Sequence, residues 1–373
     1  MAGPIRVGIV GANPTRGWAL SAHLPALSAL PDYEVTAVST TRAESAAETA
    51  AKFGIPHSFD NAKALAEHDD VDLVVISVKV PHHLELTRTA LDAGKHVFTE
   101  WPLGASSEQA AELTTLAKAR GVHHIIGLQG RHGPLNNYVR HLVSEGYVGR
   151  VLSVTLQIVS GQWGGPTIAP DRAWTADRAN GANLLTITGG HTLDTLRYAL
   201  GEFAEVNGIV TTLHPTATIA GTEETVNITV PDNVALNGRL STGAVATITF
   251  LSSPSLSSAP SLAGTYWQVL GEEGSLTITG AGLPHYADAG LTLRGHTGSG
   301  PVEELTVPAS FHRAPAEVPE GPAQNVAALY ASVADAIAGG TPIEPNFETA
   351  LSLHHLLDDV QASSDEGERR RPA

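Results

Sequence analysis

Gly11 and Gly17 bracket the stretch Ala12-Asn13-Pro14-Thr15-Arg16, directly after an apolar run and just ahead of Trp18. A glycine at the end of a strand permits a tight turn into a helix. The free N–H groups and positive dipole end of that helix can then receive a pyrophosphate. Asn13 and Arg16 stand where a regular glycine-rich fingerprint has its second and third glycines, so an ordinary strand-turn-helix is the plain alternative. Position after the first strand favours the phosphate. Further on, Ser39-Thr40-Thr41-Arg42 carries no carboxylate where an NAD-selective loop places Asp or Glu. Two hydroxyls and a guanidinium suit a ribose 2′-phosphate, which favours NADP(H) over NAD(H), with Arg16 as a second phosphate ligand. A solvated turn with Arg42 exposed is the competing explanation.

Other residues could act on a substrate. His191 precedes Asp194 by three residues, and an imidazole titrates near neutral pH and can exchange a proton with a hydroxyl. It could equally be a buried histidine bonded to backbone at a helix start. Lys79 falls in the loop after the third expected strand, at the carboxyl edge where ligands of α/β sheets bind. That position suits holding a cofactor or a carboxylate better than moving a proton. Arg131, Trp163, Trp174 and Asn183 suit a sugar cleft, because aromatic faces stack on C–H surfaces and amides bond hydroxyls. Tryptophan is also commonly core packing. The pairs His123-His124 and His354-His355 lack helical ligand spacing, and no metal is expected.

The elements that must position these groups fall into two textures. From residue 5 to about 128, short apolar runs at 5–10, 33–39, 73–77, 96–100 and 124–128 alternate with alanine-rich helical stretches. That is the pattern of βαβ units around a doubly wound parallel sheet. After Tyr147-Val148-Gly149-Arg150, alternating segments at 151–159, 206–212, 225–230, 244–251 and 267–270 predict antiparallel strands. One face of that sheet would pack on helices near 181–200 and 323–338, leaving the other to pair with another subunit. The expected division is a nucleotide-binding domain over 1–130, an α+β domain over 131–362 and a disordered tail over 363–373. The stretches 252–261 and 308–322 are rich in Ser, Pro and Ala and read as mobile.

Composition narrows the partners. A length of 373 residues exceeds what one core usually supports, and 42% hydrophobic with 16% charged residues fits an ordinary globular protein. A net charge of -16 repels nucleic acid and anionic membrane surfaces. With no cysteine there is no disulfide, thiol nucleophile or thiolate metal site. No export signal or membrane-length apolar run is visible, which makes the cytoplasm the expected location.

Taken together, the long turn with Trp18, Ser77-Val78-Lys79-Val80-Pro81, Glu100-Trp101-Pro102, Leu128-Gln129-Gly130-Arg131 and Gly190-His191-Thr192-Leu193-Asp194 carry a family resemblance. The chain resembles the Gfo/Idh/MocA oxidoreductases, named for glucose-fructose oxidoreductase and inositol dehydrogenase. Within them it is most similar to the branch of the fungal galactose-regulon repressor. The resemblance implies a Rossmann domain, a C-terminal sheet used for a homo-dimer or homo-tetramer, and a sugar-like substrate above the nicotinamide. It implies that Glu100 contacts the nicotinamide ribose and that Val78, Lys79, Val80 and His82 pass beside the cofactor, with Pro102, Gln129 and Arg131 close by.

It also exposes two departures. Most members have lysine at the place of Trp101, and that lysine exchanges the proton of the substrate oxygen. An indole N–H donates a hydrogen bond but holds no exchangeable proton near pH 7. Ile187 stands where active members usually carry Asp. Two functions therefore stay open: an NADP(H)-dependent oxidoreductase acting on a hydroxyl or carbonyl carbon, in which His191 handles the proton, or a non-catalytic NAD(P)- and sugar-binding sensor. The first is favoured by how common catalysis is in the family the chain resembles, and the absence of an added regulatory module speaks against the second.

Overall fold

Residues 3–253 and 263–372 are described by the computed structural model. They form two compact units. One comprises residues up to His132 together with His312–Ser352, the other Gly133–Phe311 together with residues from Leu353 on.

In the first unit, β1 (Ile5–Val10), β2 (Tyr33–Ser39), β3 (His57–Phe59), β4 (Leu73–Ile76), β5 (His96–Glu100) and β6 (His124–Gly127) form one sheet in the order β3-β2-β1-β4-β5-β6. Every pairing is parallel, and the order reverses between β1 and β4. This is the doubly wound arrangement whose ligands bind at the carboxyl edge near the switch point. β4 is apolar throughout, and β1 is apolar but for Arg6 near its start, because both faces are covered, as parallel sheets require.

The sequence expectation that residues beyond 131 all belong to the second domain is corrected here. The helix Pro322–Gly339 brings Val326, Leu329, Tyr330 and Val333 into one core with Ile5, Val7, Phe98 and Ile125. Within the stretch 308–322, expected to be mobile, Val318 is buried in that core. The other stretch expected to be mobile falls, from residue 254 on, outside the described residues.

In the second unit, the long sheet runs β17-β16-β15-β14-β7-β13-β12-β9. Its strands are β7 (Val151–Ser160), β9 (Phe203–Thr211), β12 (Asn233–Leu240), β13 (Val245–Ser252), β14 (Gly264–Gly271), β15 (Gly274–Gly280), β16 (Leu291–Thr297) and β17 (Glu303–Glu304). Only β13 with β7 is parallel; the other pairs are antiparallel. A small sheet adds β8 (Thr167–Ile168), β10 (Thr216–Ile219) and β11 (Thr225–Asn227). Period-2 alternation buries Val154, Leu156, Ile158, Ile248, Phe250 and Trp267 on one face. The helix Gly190–Leu200 lies against that face. The opposite face shows Val245, Tyr266 and Leu270 to solvent.

The tail expected to be disordered is ordered over its described residues 363–372 where it meets β9: the helix Phe347–Glu366 reaches into it, and Arg370 exchanges two 2.9 Å backbone hydrogen bonds with Val206. Fully buried Ser363 accepts from the Gly208 N–H at 3.1 Å, and Ser364 from the Val210 N–H at 2.8 Å. These side chains satisfy backbone donors of β9, which is otherwise the sheet's edge. Among the described residues, no helix is long and apolar enough to cross a membrane.

Candidate functional site

At the carboxyl edge of the first sheet, Gly11 has φ 98°, and a Cβ there would lie 2.2 Å from the Ser77 carbonyl oxygen. Only glycine fits. The turn then closes on itself: Asn13 Oδ1 accepts from the Thr15 N–H and Thr15 hydroxyl, both at 3.0 Å, and from the Arg16 N–H at 3.3 Å. From behind, Thr49 donates to the Ala12 carbonyl at 2.8 Å and Lys52 to the Pro14 carbonyl at 2.7 Å. Arg16 is left exposed and Trp18 half-buried ahead of a π-helical turn, Ala19–His23, that runs into the helix Leu24–Ser28. At the end of β2, Thr40 is held by the Ser45 hydroxyl at 2.6 Å, while Thr41 and Arg42 are exposed.

Glu100 ends β5. Its Oε1 lies 2.9 Å from His23 Nε2 in ion-pair rather than linear hydrogen-bond geometry, and His23 Nδ1 is 2.8 Å from the Tyr330 hydroxyl. Tyr330 is anchored in turn, its carbonyl accepting from the Tyr33 hydroxyl at 2.8 Å. His23 and Tyr330 are completely buried; burial holds the Tyr330 hydroxyl well above its ordinary range, helped by Tyr33 and Glu100. On its other side Glu100 rests on Gly127, where a Cβ would come within 2.6 Å of Oε2. Three elements thus seat one carboxylate.

Trp101 is 4% exposed and precedes Pro102 through a cis peptide bond. His83 ties this segment to the neighbouring loop, with Nδ1 2.7 Å from the Pro102 carbonyl and Nε2 3.1 Å from the Val78 carbonyl. Burial lowers its pKa despite those two acceptors, and a neutral ring donates to only one of them. Lys79, Pro81 and His82 are exposed and Val80 is buried. Gln129 and Arg131 are buried in the 3₁₀ turn Gln129–His132, with Arg131 3.8 Å from Glu344.

The second unit holds the other group of candidates. Asn183 caps the π-helical turn Leu184–Gly189, accepting from the N–H groups of Leu185 and Thr186, so its amide oxygen is already engaged. His191 follows at the start of the helix Gly190–Leu200, 7% exposed, with Asp194 buried one turn on. The His191 ring stacks on His285, centroids 4.9 Å apart and planes 8° from parallel. Burial, then His285, lowers the His191 pKa well below the usual imidazole value. Trp163 is buried, its indole N–H donating to Thr188 at 2.9 Å and its ring covered by Arg172. Trp174 is half-buried.

Sequence reasoning missed His23, His83, Tyr330 and His285. The partners of each lie on other elements, so no local spacing announces them. It also missed a cluster at the opposite, amino edge of the first sheet, where candidate ligand atoms of His57, His68 and Asp70 lie within 4.8 Å of one another. Those groups are mutually bonded, His57 to Asp70 at 3.2 Å, and Asp70 also pairs with Arg6 at 3.0 Å.

Comparison with known proteins matches residues 5–128 to the oxidoreductase family with an NAD-binding Rossmann fold, Gfo/Idh/MocA, and residues 134–280 to the C-terminal domain of Gal80p. A dehydrogenase of Aspergillus oryzae, aclE, is 32% identical over 295 residues, 76% of this chain and 79% of that protein. The regulatory protein Gal80 of Saccharomyces cerevisiae is 31% identical over 259 residues, 65% of this chain and 60% of its own length. A solved levoglucosan dehydrogenase in complex with NADH and L-sorbose superposes with a TM-score of 0.84 over 99% of both chains. At 21% identity this shows a shared fold.

Proposed function

Because the chain belongs to the Gfo/Idh/MocA oxidoreductases, an NAD-binding family, we propose that it transfers hydride between NADP(H) and a hydroxyl or carbonyl carbon of a sugar, polyol or similar small molecule. The observation that carries this is the edge of the first unit, where Gly11, the self-closed turn and the seated Glu100 form a nucleotide cradle. A Cβ at Gly11 would collide with the Ser77 carbonyl, and one at Gly127 with the Glu100 carboxylate, so both glycines are needed for the edge to pack as it does. Exposed Thr41 and Arg42, with no carboxylate between Ser39 and Arg42, favour the 2′-phosphate of NADP(H).

The nicotinamide supplies the hydride chemistry when bound. The chain's own residues bind and orient. Gly11 and the turn would hold the pyrophosphate and Glu100 would accept from ribose hydroxyls, with Val78, Lys79, Val80, His82, Pro102 and Gln129 as further candidates for contact with the dinucleotide. Trp101 and Arg131 in the first unit, and Trp174 and Asp194 in the second, are each candidates for contact with the substrate. His191, kept neutral by burial, would accept the proton of a substrate hydroxyl on oxidation and return it on reduction.

Purified protein is incubated with NADPH or NADP+ and a panel of sugars, polyols and ketoses while the absorbance of the reduced nicotinamide is followed. Turnover that His191→Ala abolishes is the expected result. Tight cofactor binding without turnover across the panel refutes it and supports a second reading, a non-catalytic NAD(P)- and sugar-binding sensor. Buried Trp101 at the lysine position favours that second reading, as does the match to the Gal80p C-terminal domain.

The open face carrying Val245, Tyr266 and Leu270 is proposed to pair with a second copy, as a dimer or tetramer. Tyr266→Asp is then expected to lower the mass measured by light scattering, and an unchanged mass rejects that face.

A further inference from the structure

The amino edge of the first sheet, away from the proposed nucleotide cradle, gathers a different set of chemically capable groups. His57 opens the edge strand β3, while His68 and Asp70 stand in the loop that leads into β4. One ligand atom from each lies within 4.8 Å of the other two. His57 Nε2 is 3.2 Å from Asp70 Oδ2, and the two imidazole rings approach to 4.2 Å between centroids, tilted by 42°. Around a tetrahedral zinc ion with bonds of about 2.0–2.1 Å, neighbouring ligand atoms are about 3.3 Å apart. One edge of such a tetrahedron is therefore already formed.

The surroundings orient these groups and leave them within reach. Asp70 gives Oδ1 to Arg6 at 3.0 Å, so that Oδ2 turns to His57. Arg6 is engaged chiefly by Asp72, through its backbone N–H and Nε at 3.0 Å and Nη2 at 2.7 Å. Lys95 donates to the carbonyls of His68 and Val71 at 3.1 and 2.7 Å, which fixes the loop. Both nearby cations thus have partners of their own, and Asp69, Asp70 and Asp72 outnumber them. A ligating carboxylate is commonly held in this way by an outer hydrogen bond. The side chains of His57 and Asp70 are 34% and 51% exposed and His68 is half-buried, so an ion reaches them from solvent and a small rotation of His68 closes the third side.

We propose that His57, His68 and Asp70 form a site for a divalent cation of the zinc class, with water as the fourth ligand. Two imidazoles and one carboxylate suit Zn²⁺, Ni²⁺ or Cu²⁺, whereas Mg²⁺ and Ca²⁺ prefer shells of oxygen. On binding, the contact between His57 Nε2 and Asp70 Oδ2 gives way to two bonds to the ion, and the proton between them leaves to solvent or to His57 Nδ1. His68 binds through Nδ1, giving up the 3.2 Å bond from the Asp70 N–H, or through Nε2, with its proton moved to Nδ1. The ion ties the edge strand β3 to the loop before β4 and stiffens that end of the sheet. Gly11 and Glu100, at the other edge, are untouched.

The test uses the untagged full chain, stripped of metal with a chelator and titrated with Zn²⁺ in competition with a chromophoric indicator. Zn²⁺ is expected to bind and to raise the thermal midpoint, and Mg²⁺ to do neither. His57→Gln, His68→Gln and Asp70→Asn are each expected to weaken Zn²⁺ binding at least tenfold. His123→Ala, which alters the neighbouring ring pair of His96 and His123, is expected to leave it within twofold. Urea midpoints without metal confirm that the variants fold; if Asp70→Asn does not, the two half-exposed histidines carry the test. Zn²⁺ that binds both glutamine variants within twofold of wild type, or that binds wild type no tighter than Mg²⁺, overturns the inference.

Discussion

Each unit buries an imidazole at its candidate site, and the two are treated in opposite ways. His23 in the first unit has one hydrogen bond, from Nδ1 to the Tyr330 hydroxyl at 2.8 Å, a carboxylate 2.9 Å from Nε2 without hydrogen-bond geometry, and no exposure. His191 in the second has a stacked neighbour, His285, and an Nδ1 with no partner among the described residues. The first sets a histidine between a phenol and a carboxylate, and the second stacks a histidine on another histidine. The same side chain is thus buried in polar company in one unit and beside its own kind in the other.

The contrast can be broken at several points. His23→Leu strands Glu100 and Tyr330 and is expected to cost about 3 kcal/mol of stability, read as a lowered midpoint in urea unfolding. A loss under about 1 kcal/mol would mean that the first unit's network is no more complete than the second's. Gly127→Ala intrudes on the Glu100 carboxylate, so NADPH affinity is expected to fall roughly tenfold by calorimetry with the fold retained. Thr41→Asp with Arg42→Leu is expected to move the NADP/NAD affinity ratio about tenfold toward NAD; an unchanged ratio removes that loop from 2′-phosphate recognition.

Acidity should strike both units. Burial depresses His132 in the first unit and His285 and His354 in the second from 6.5 to about 4, and lowers His83 and His191 as well. Folded values below unfolded ones mean that the stabilisation is fully present above pH 6.5 and drains away toward pH 4. Each group contributes up to about 1.4 kcal/mol per pH unit across that window. Thermal midpoints measured between pH 7 and pH 4 report it, and a flat profile contradicts the buried neutral state. Smallest of all, His285→Phe is expected to change stability by less than about 1 kcal/mol, because the ring it replaces makes no hydrogen bond through Nδ1.

How much of this was legible beforehand follows from the range of the interactions. The strands of the first sheet announce themselves as apolar runs, and Gly11 as the turn after the first, because those signals are local. β3 escaped notice, being three residues at a sheet edge, Ser58 exposed between half-buried His57 and Phe59. Thr40, Thr41 and Arg42 could be read from the absence of a carboxylate, and the structure leaves the last two exposed. Trp163 and Asn183 are chemically apt for a sugar, but their polar atoms turn out to be engaged by Thr188 and by a helix start. His23 and Tyr330 stand 307 residues apart, and only the fold brings them together. The tail misled for a related reason: its polar residues look like solvated chain until Ser363 and Ser364 are seen serving the backbone of β9.

The return of residues 312–352 to the first unit bears on how the molecule is made. Its earliest strand leaves the ribosome with Val7 and Ile9, yet Val326, Leu329 and Tyr330, which close the same core, are synthesised hundreds of residues later. A nascent chain ending at His132 would present the pyrophosphate turn with an open flank and His23 lacking its phenol. The half begun first is completed only after residues 133–311 of the other have been made, so during synthesis that exposed flank is the natural place for a chaperone to wait.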